Sequence, residues 1–372
     1  MREEMYKYQI TKQKLLDIAS GLEENEPLPN RNALSRQCGV ARVTLERAIS
    51  ELIGEGRLVS VDGRGTYRTA SGSARASTEG AASPTLNERA WALLVYSVTK
   101  GTAPVIVRSV EDFTSRHGIN LIVCNTDNDP QKEIDCLRRL YDYGVSGIIV
   151  IPSTHSGPNW EILDALRQKG VSVVACSRQV PGHDNPGVFQ NFFQSGFLAT
   201  EHLLHLGCRR IAYFAASRYS TIEDRLQGYL AALNLHNTQH PDDPAREGLG
   251  LSQSVPSESV EALFEEFLRA HPDTDGIYVF NDRLAVLLYA VMKRLHLRPG
   301  RDIRVVANDD SGFSASLWVP LSTVDVSADR MGLQAAEMLH RLRGGAAAEA
   351  CGHTVLSGEL HARESSLGAD EK

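Results

Sequence analysis

Residues 41–67, ARVTLERAISELIGEGRLVSVDGRGTY, concentrate side chains able to read a nucleic acid. Arginine reaches phosphates or guanine edges, threonine meets phosphate or a thymine methyl, and glutamate accepts from cytosine N4. Arg42, Thr44, Glu46 and Arg47 supply those groups early in a helix whose Leu45, Ala48, Ile49, Leu52 and Ile53 form an apolar stripe, with Arg42, Glu46 and Ser50 on the other side. Backbone amides at the helix start add a phosphate site. Two extended runs, RLVSV and TYRT, then flank DGRG, where Gly63 and Gly65 tolerate positive φ and Arg64 projects as an arginine entering a minor groove would. Any one of these charges, taken alone, reads more readily as a solvated helix face. Turn, helix and wing together favour DNA.

A second group of polar residues suits a binding cleft. YVFND and VVANDD place Asn281 and Asp309 just beyond apolar strands, at the carboxyl ends where open parallel sheets take ligands. Arg225 follows YSTIED at the start of a helix, where a guanidinium can make paired hydrogen bonds to hydroxyl or carboxylate oxygens. Each also has a local reading: Asn281 capping the helix from Asp282, Asp309 forming a turn, Arg225 bridging two lobes. No phosphate-cradling glycine loop or zinc-spaced cluster occurs, and adjacent Asp309 and Asp310 after an extended strand point different ways, which weakens a shared-proton pair. Neither catalysis nor a metal or cofactor is expected.

The elements that must carry these groups fall into two regimes. Residues 1–70 read as helix, helix, helix and hairpin, a winged helix-turn-helix, with Asn30 placed to cap the second helix through Cys38. Residues 71–88 are rich in Ala, Ser, Gly and Thr and read as a flexible linker. Between 89 and 362, seven short apolar strands from WALLVYSV to IRVVAN alternate with eight helical stretches, the rhythm of an α/β fold with buried parallel strands. That length suits two lobes with a cleft between them, and 236–254 reads as a surface loop leading into an edge strand. Residues 363–372 read as a frayed tail.

Composition narrows the setting. The 372 residues carry a formal charge of -7, yet residues 1–68 balance eleven Lys and Arg against ten Asp and Glu, so any DNA footprint is local. No apolar run approaches the roughly 20 residues needed to span a bilayer, and MREEMYKYQITKQK lacks the apolar core of a secretion signal, so a cytoplasmic protein without a membrane partner is expected. Six dispersed cysteines without CxxC pairs suit reduced, packed thiols.

With these residues in place, LPNRNALSRQCGVARVTLERAISELIGEGRLVSVDGRGTY resembles the winged-helix head of the GntR family of bacterial repressors. The resemblance implies DNA contacts at Arg42 and Thr44, with Gly65 shaping the wing. The family's usual second-helix arginine falls at Asn32, with Arg31 beside it; a frequent recognition-helix arginine falls at Glu46; and the capping serine is Ala41. Arg31 and Arg47 are positioned to replace lost phosphate contacts.

The stretches ATEHLLHLGCRRIAYFAA, DGIYVFNDRLAVLLYAV and IRVVANDDSGFSASLWVPLSTVDVSADRMGLQAAEMLHRL are similar to the periplasmic-binding-protein-like sensor domain of the LacI/GalR family. That resemblance implies ligand contacts at Arg225, Asn281 and Asp309. Ser177, followed by Arg178, stands where an acid is common, Phe192 and Phe193 replace an Asp-Asn pair, and residues 307–310 read Ala-Asn-Asp-Asp. Phe192 and Trp318 then offer an apolar face for a sugar ring, or belong to the core or a dimer contact. The implied function is a repressor, a homodimer on palindromic double-stranded operator DNA released by a small carbohydrate-like effector. A corepressor-dependent regulator of a non-sugar ligand, or a constitutive DNA-binding protein whose large domain only dimerises, remain the alternatives.

The replacement of Glu46 by Lys should alter operator preference more than non-specific affinity. Anisotropy titrations against operator variants and random duplex check this, and uniform tightening on all duplexes would place residue 46 at phosphate instead.

Overall fold

A computed structural model describes residues 11–12, 14–19, 27–41, 45, 48–49, 52, 58–61, 65–68, 86–153, 160–179, 186–215, 220–251 and 260–368. Its contacts separate two units, Met1–Ser83 and Pro84–Lys372.

In the first unit, Leu45, Ala48, Ile49 and Leu52 are all buried, joined by Leu15, Leu28, Leu34 and Leu58 in a single core. The helical stripe read from the sequence is therefore the inward face. Helix α1, Arg31–Cys38, starts where the Asn30 side chain accepts from the Ala33 amide at 3.0 Å and stops at Gly39, whose φ of 70° turns the chain away. Strands β1 (Leu58–Val61) and β2 (Gly65–Arg68) pair antiparallel, with Val61 opposite Gly65. Arg42, Thr44, Glu46, Arg47 and Arg64 lie outside the described residues.

The second unit holds two six-stranded sheets. In the first lobe, β3 (Asn87–Val95), β4 (Asn120–Asn125), β5 (Val145–Val150), β6 (Ser172–Ser177), β7 (Gly187–Gln190) and β13 (His353–Leu356) stand in the order β13-β7-β6-β5-β3-β4, all parallel. Helices α2 (Ala103–Arg116) and α9 (Ala328–Arg343) cover one face. Helices α3 (Pro130–Tyr143) and α4 (Trp160–Gln168) cover the other.

The second lobe orders β8 (Arg210–Ala215), β9 (Arg246–Leu251), β10 (Gly276–Val279), β11 (Arg304–Asn308), β12 (Ser322–Asp325) and β14 (Glu359–His361) as β14-β12-β11-β10-β8-β9, with only β14 antiparallel. Its faces are covered by α5 (Phe192–His205) with α6 (Ser220–Gln239), and by α7 (Val260–Ala270) with α8 (Asp282–Arg294). Helix α10 (Ala348–Cys351) precedes β13. The chain passes between sheets three times: after β7, after β12, and between β13 and β14. Near-continuous apolar strands follow from burial on both faces.

Two boundaries need correcting. The linker expected through residue 88 overlaps β3, which opens at Asn87 because its amide donates to the Gly144 carbonyl at 2.7 Å and Glu88 pairs with Arg343. The expected tail is also folded, with Glu364–Leu367 forming a short helix, α11. Ser365 and Ser366 are fully buried, Ser365 donating to the Val305 carbonyl at 2.6 Å and Ser366 meeting Ser322 at 2.7 Å and His202 at 2.8 Å. A serine-rich end looks frayed by composition, but these hydroxyls bind β11 and the start of β12.

Helices α5 and α6 touch backbone to backbone. A Cβ on Gly196 would lie 2.1 Å from the Arg225 carbonyl oxygen, and one on Gly228 would lie 2.0 Å from that of Phe193. This approach sets Phe192 and Arg225 in place. Gly228→Ala is expected to force the helices apart and cost about 1–3 kcal/mol, as overpacking does. Urea unfolding checks it; an unchanged midpoint would show that the helix pair yields freely.

Candidate functional site

A cavity of about 530 Å³ is lined by residues from both lobes. Its walls are strand ends and helix starts. From the first lobe come Tyr96 beyond β3, Asn128 beyond β4, Ser177 and Arg178 at the end of β6, and Gln190 at the end of β7. The second lobe supplies Thr221 and Arg225 from α6, Phe280 and Asn281 beyond β10, and Asp309 beyond β11. This is the carboxyl edge of each parallel sheet, where loops are free to present polar groups.

Arg225 is the most constrained of them. It is 2% exposed, and its guanidinium lies 5.1 Å from the Phe192 ring centroid and 4.5 Å from that of Phe280. Nη1 donates to the Phe280 carbonyl at 3.2 Å and Nη2 to Asp309 Oδ1 at 3.4 Å, while Nε has no acceptor among the described residues. A desolvated guanidinium needs its donors engaged. The aromatic rings answer part of the cost through their faces.

The acids nearby sit in three different environments. Burial pushes the Asp309 carboxyl above its ordinary range, opposed by the charge and hydrogen bond of Arg225. Burial acts on Asp310 too, but hydrogen bonds from Arg363 at 2.8 Å and His361 at 2.7 Å outweigh it and hold that carboxyl low. The two neighbours turn to different partners, as the sequence suggests, with φ of 101° and 44°. Asp282, fully buried at the start of α8, accepts at 2.6 Å from the Ser311 amide, Ser314 Oγ and Thr323 Oγ1, and so pins the loop that carries Asp309.

Of the residues singled out from sequence, Ser177, Arg178, Phe192, Arg225, Asn281 and Asp309 line the cavity. Ser177 and Asp309 end their strands at φ 67° and 101°, which redirects the chain at the rim. Arg178 stacks 4.5 Å over the Tyr96 ring and donates to Asn128 Oδ1 and the Pro152 carbonyl, each at 2.9 Å. Asn281 does cap α8, its Oδ1 accepting from Leu284 at 2.9 Å, and still borders the cavity.

Trp318 is a correction. It is absent from the lining and stands 47% exposed, edge-on to Tyr289 at 5.8 Å. The short 3-10 turn Ser314–Ser316 lies between Asp309 and Trp318, and Tyr289 is two turns along α8, away from the helix start that meets the cleft. Phe193 likewise faces out, stacked on Phe197 at 6.5 Å.

Sequence reasoning missed Tyr96, Asn128, Gln190 and Phe280, although each follows or ends an apolar strand. In the head, Arg31 donates to Thr66 Oγ1 at 3.0 Å and ties α1 to the wing strand, while Asn32 is exposed. Among the described residues no His, Cys, Asp or Glu group is arranged to hold a metal, and no helix is long and apolar enough to cross a membrane.

Burial, then repulsion from Asp309, pushes Asp282 up to about 7 against the hydrogen bonds from Ser314, Thr323 and Ser311. Between about pH 4, the ordinary carboxylate range, and about 7, the native state holds a proton that the unfolded chain has released. The contribution to stability therefore falls as pH rises through that window. Asp282→Asn removes the titration, so the stability lost by the variant should be larger at pH 5 than at pH 8 in urea melts. Equal losses at both would refute the shift.

Residues 9–67 match the bacterial regulatory proteins of the gntR family, and residues 200–366 match the periplasmic binding protein-like domain. The arabinose metabolism transcriptional repressor of Geobacillus stearothermophilus is 29% identical over 367 residues, covering 96% of this chain and 97% of its own. The ribose operon repressor of Bacillus subtilis is 28% identical over 249 residues, 66% of this chain and 72% of its own. In fold, the chain is similar to a periplasmic binding protein/LacI transcriptional regulator from Alkaliphilus metalliredigens complexed with D-xylulofuranose, at a TM-score of 0.64 and 20% identity over 75% of this chain and 99% of that one. Head and cleft together make this chain a GntR-type helix-turn-helix domain joined to a periplasmic-binding-protein-like domain.

Proposed function

We propose that the protein is a cytoplasmic, ligand-responsive transcriptional repressor that acts as a homodimer on palindromic operator DNA and is released when a small carbohydrate-like effector occupies the cleft. The observation that carries this reading is Arg225, held between two aromatic rings with Nε unengaged among the described residues, at a cavity shared by both lobes. Sugar hydroxyls accept from such a fork, and the C–H faces of a ring stack on aromatic side chains. The gntR-type head and the arabinose and ribose repressors among the relatives support DNA control by a sugar.

In this reading Arg42 and Thr44 contact the operator, Arg31, Asn32, Arg47 and the Arg64–Gly65 wing touch the backbone or minor groove, and Glu46 adjusts base preference. Ser177, Arg178, Phe192, Arg225, Asn281 and Asp309 bind the effector. A ligand that bridges the lobes favours the closed arrangement by its differential affinity for it. A dimer whose heads no longer match both half-sites loses the avidity of simultaneous engagement.

The test joins operator anisotropy to a thermal-shift screen of sugars and sugar derivatives. A stabilising ligand should release the operator, and Arg225→Lys should weaken that ligand about 10- to 100-fold, the worth of charge-assisted hydrogen bonds held in a fixed fork. Operator binding that ignores every stabilising ligand would favour the constitutive reading; tightening would make the ligand a corepressor.

A further inference from the structure

Among the described residues the charges lining the cleft do not balance, and the imbalance lies at two specific places. Lys100, Arg178, Arg225 and Arg283 face Asp127 and Asp309 across the cavity. Both acids are already answered. Asp127 accepts from Lys132 Nζ and, at 2.9 Å, from Asn125, with the charge of Lys100 acting on it from further off, and Asp309 takes Arg225. Arg178 is engaged, by Asn128 and Pro152 among its partners. Among the described residues neither Lys100 nor Arg283 enters an ion pair, and they stand on opposite lobes.

Their positions are electrostatically unfavourable for cations. Arg283 is the second residue of α8, and Lys100 comes three residues before α2, whose N-cap Thr102 makes no side-chain capping bond. A helix N-terminus carries a partial positive charge and favours anions, so each lobe adds a cation where the backbone is already positive. Drawing the lobes together brings these like charges closer, where they repel more strongly. Ser177 stands at the rim without the charge an acid there would supply. An anion between the lobes removes the repulsion and supplies the missing partner.

From this we infer that the effector is an anionic carbohydrate derivative, its ring beside Phe192, Phe280 and Arg225 and its carboxylate or phosphate between Lys100 and Arg283. The inference rests on the reading of the cleft as the effector site and adds the charge of its occupant. The anion acts as a clasp: closure is favourable with it and opposed without it.

Full-length protein is titrated calorimetrically with three sets of probes: neutral L-arabinose, D-ribose and D-galactose; the carboxylates D-gluconate and D-galacturonate; and the esters D-ribose 5-phosphate and D-glucose 6-phosphate. An anionic probe should bind at least about tenfold more tightly than its neutral counterpart, with affinity falling as salt rises. Whichever anionic set binds identifies carboxylate or phosphate as the group. Arg283→Gln and Lys100→Gln should each weaken that probe about tenfold, the cost of one charge-assisted hydrogen bond, and Arg283→Lys should recover part of the loss. Both side chains are exposed, so these variants are expected to fold. Tight binding of a neutral sugar, with anions no better, overturns the inference and leaves the effector cleft standing. An anion that binds Arg283→Gln and Lys100→Gln as tightly as wild type also overturns it. Binding by no probe in any set overturns both readings.

Discussion

Much of the second unit is arranged to keep one guanidinium out of water. Arg225 is a permanent charge with almost no exposure, and a buried ion is tolerated only when charge and hydrogen bonds replace its hydration. Asp309 supplies the charge, the Phe280 carbonyl one acceptor, and two rings their faces. Each partner is itself held. Asn308 donates to the Phe280 carbonyl at 3.1 Å and to Tyr278 at 2.7 Å, which fixes the end of β10 against the end of β11. Asp282 gathers Ser311, Ser314 and Thr323 and so holds the loop from which Asp309 projects. The glycine contact between α5 and α6 places the arginine and Phe192 on the same wall. Removing any of these supports leaves a buried charge less well answered.

The first lobe meets this wall with groups that are better hydrated. Arg178 lies over Tyr96 and reaches Asn128 and Pro152, joining the ends of β3, β4, β5 and β6 along one edge. Because the chain passes between the sheets three times, the lobes are linked by short connections rather than by a shared sheet. Each has its own hydrophobic clusters, so a change in their separation need not disturb either core. That division suits a device in which a ligand spanning the cleft selects among arrangements of otherwise intact lobes.

The periodic features of the fold were legible in the sequence. Helical stretches read between residues 89 and 362 occur, among others, as Ala103–Arg116, Pro130–Tyr143, Asp282–Arg294 and Ala328–Arg343, because apolar residues at helical spacing have one way to face a core. Strands β7, β12, β13 and β14 were not anticipated; they have three or four residues each, too few to show a pattern. In the cleft, residues directly beyond long apolar strands were found by position, whereas Tyr96 sits inside the run WALLVYSV and Gln190 ends a strand too short to show a pattern. Trp318 misled for the opposite reason. It is close in sequence to Asp309, but an intervening turn carries it toward Tyr289. Sequence proximity to a site residue says little where a loop reverses.

The carboxylates show how one lobe separates roles among chemically identical groups. Asp282, Asp309 and Asp310 differ mainly in what surrounds them: three neutral donors, one stacked arginine, and an arginine with a histidine. Burial pushes both Asp282 and Asp309 upward, and the charge of Asp309 adds to the shift at Asp282. Asp310, hydrogen-bonded by Arg363 and His361 and partly hydrated, is held below its ordinary range and joins β14 to the loop after β11. The consequence for the cleft is one of polarity. Of these three acids, only Asp309 lines the cavity, and its charge is spent on Arg225. The second lobe therefore presents its remaining cation, Arg283, without an acidic screen, and the electrostatic character of the cavity is set by how acids are distributed behind its wall.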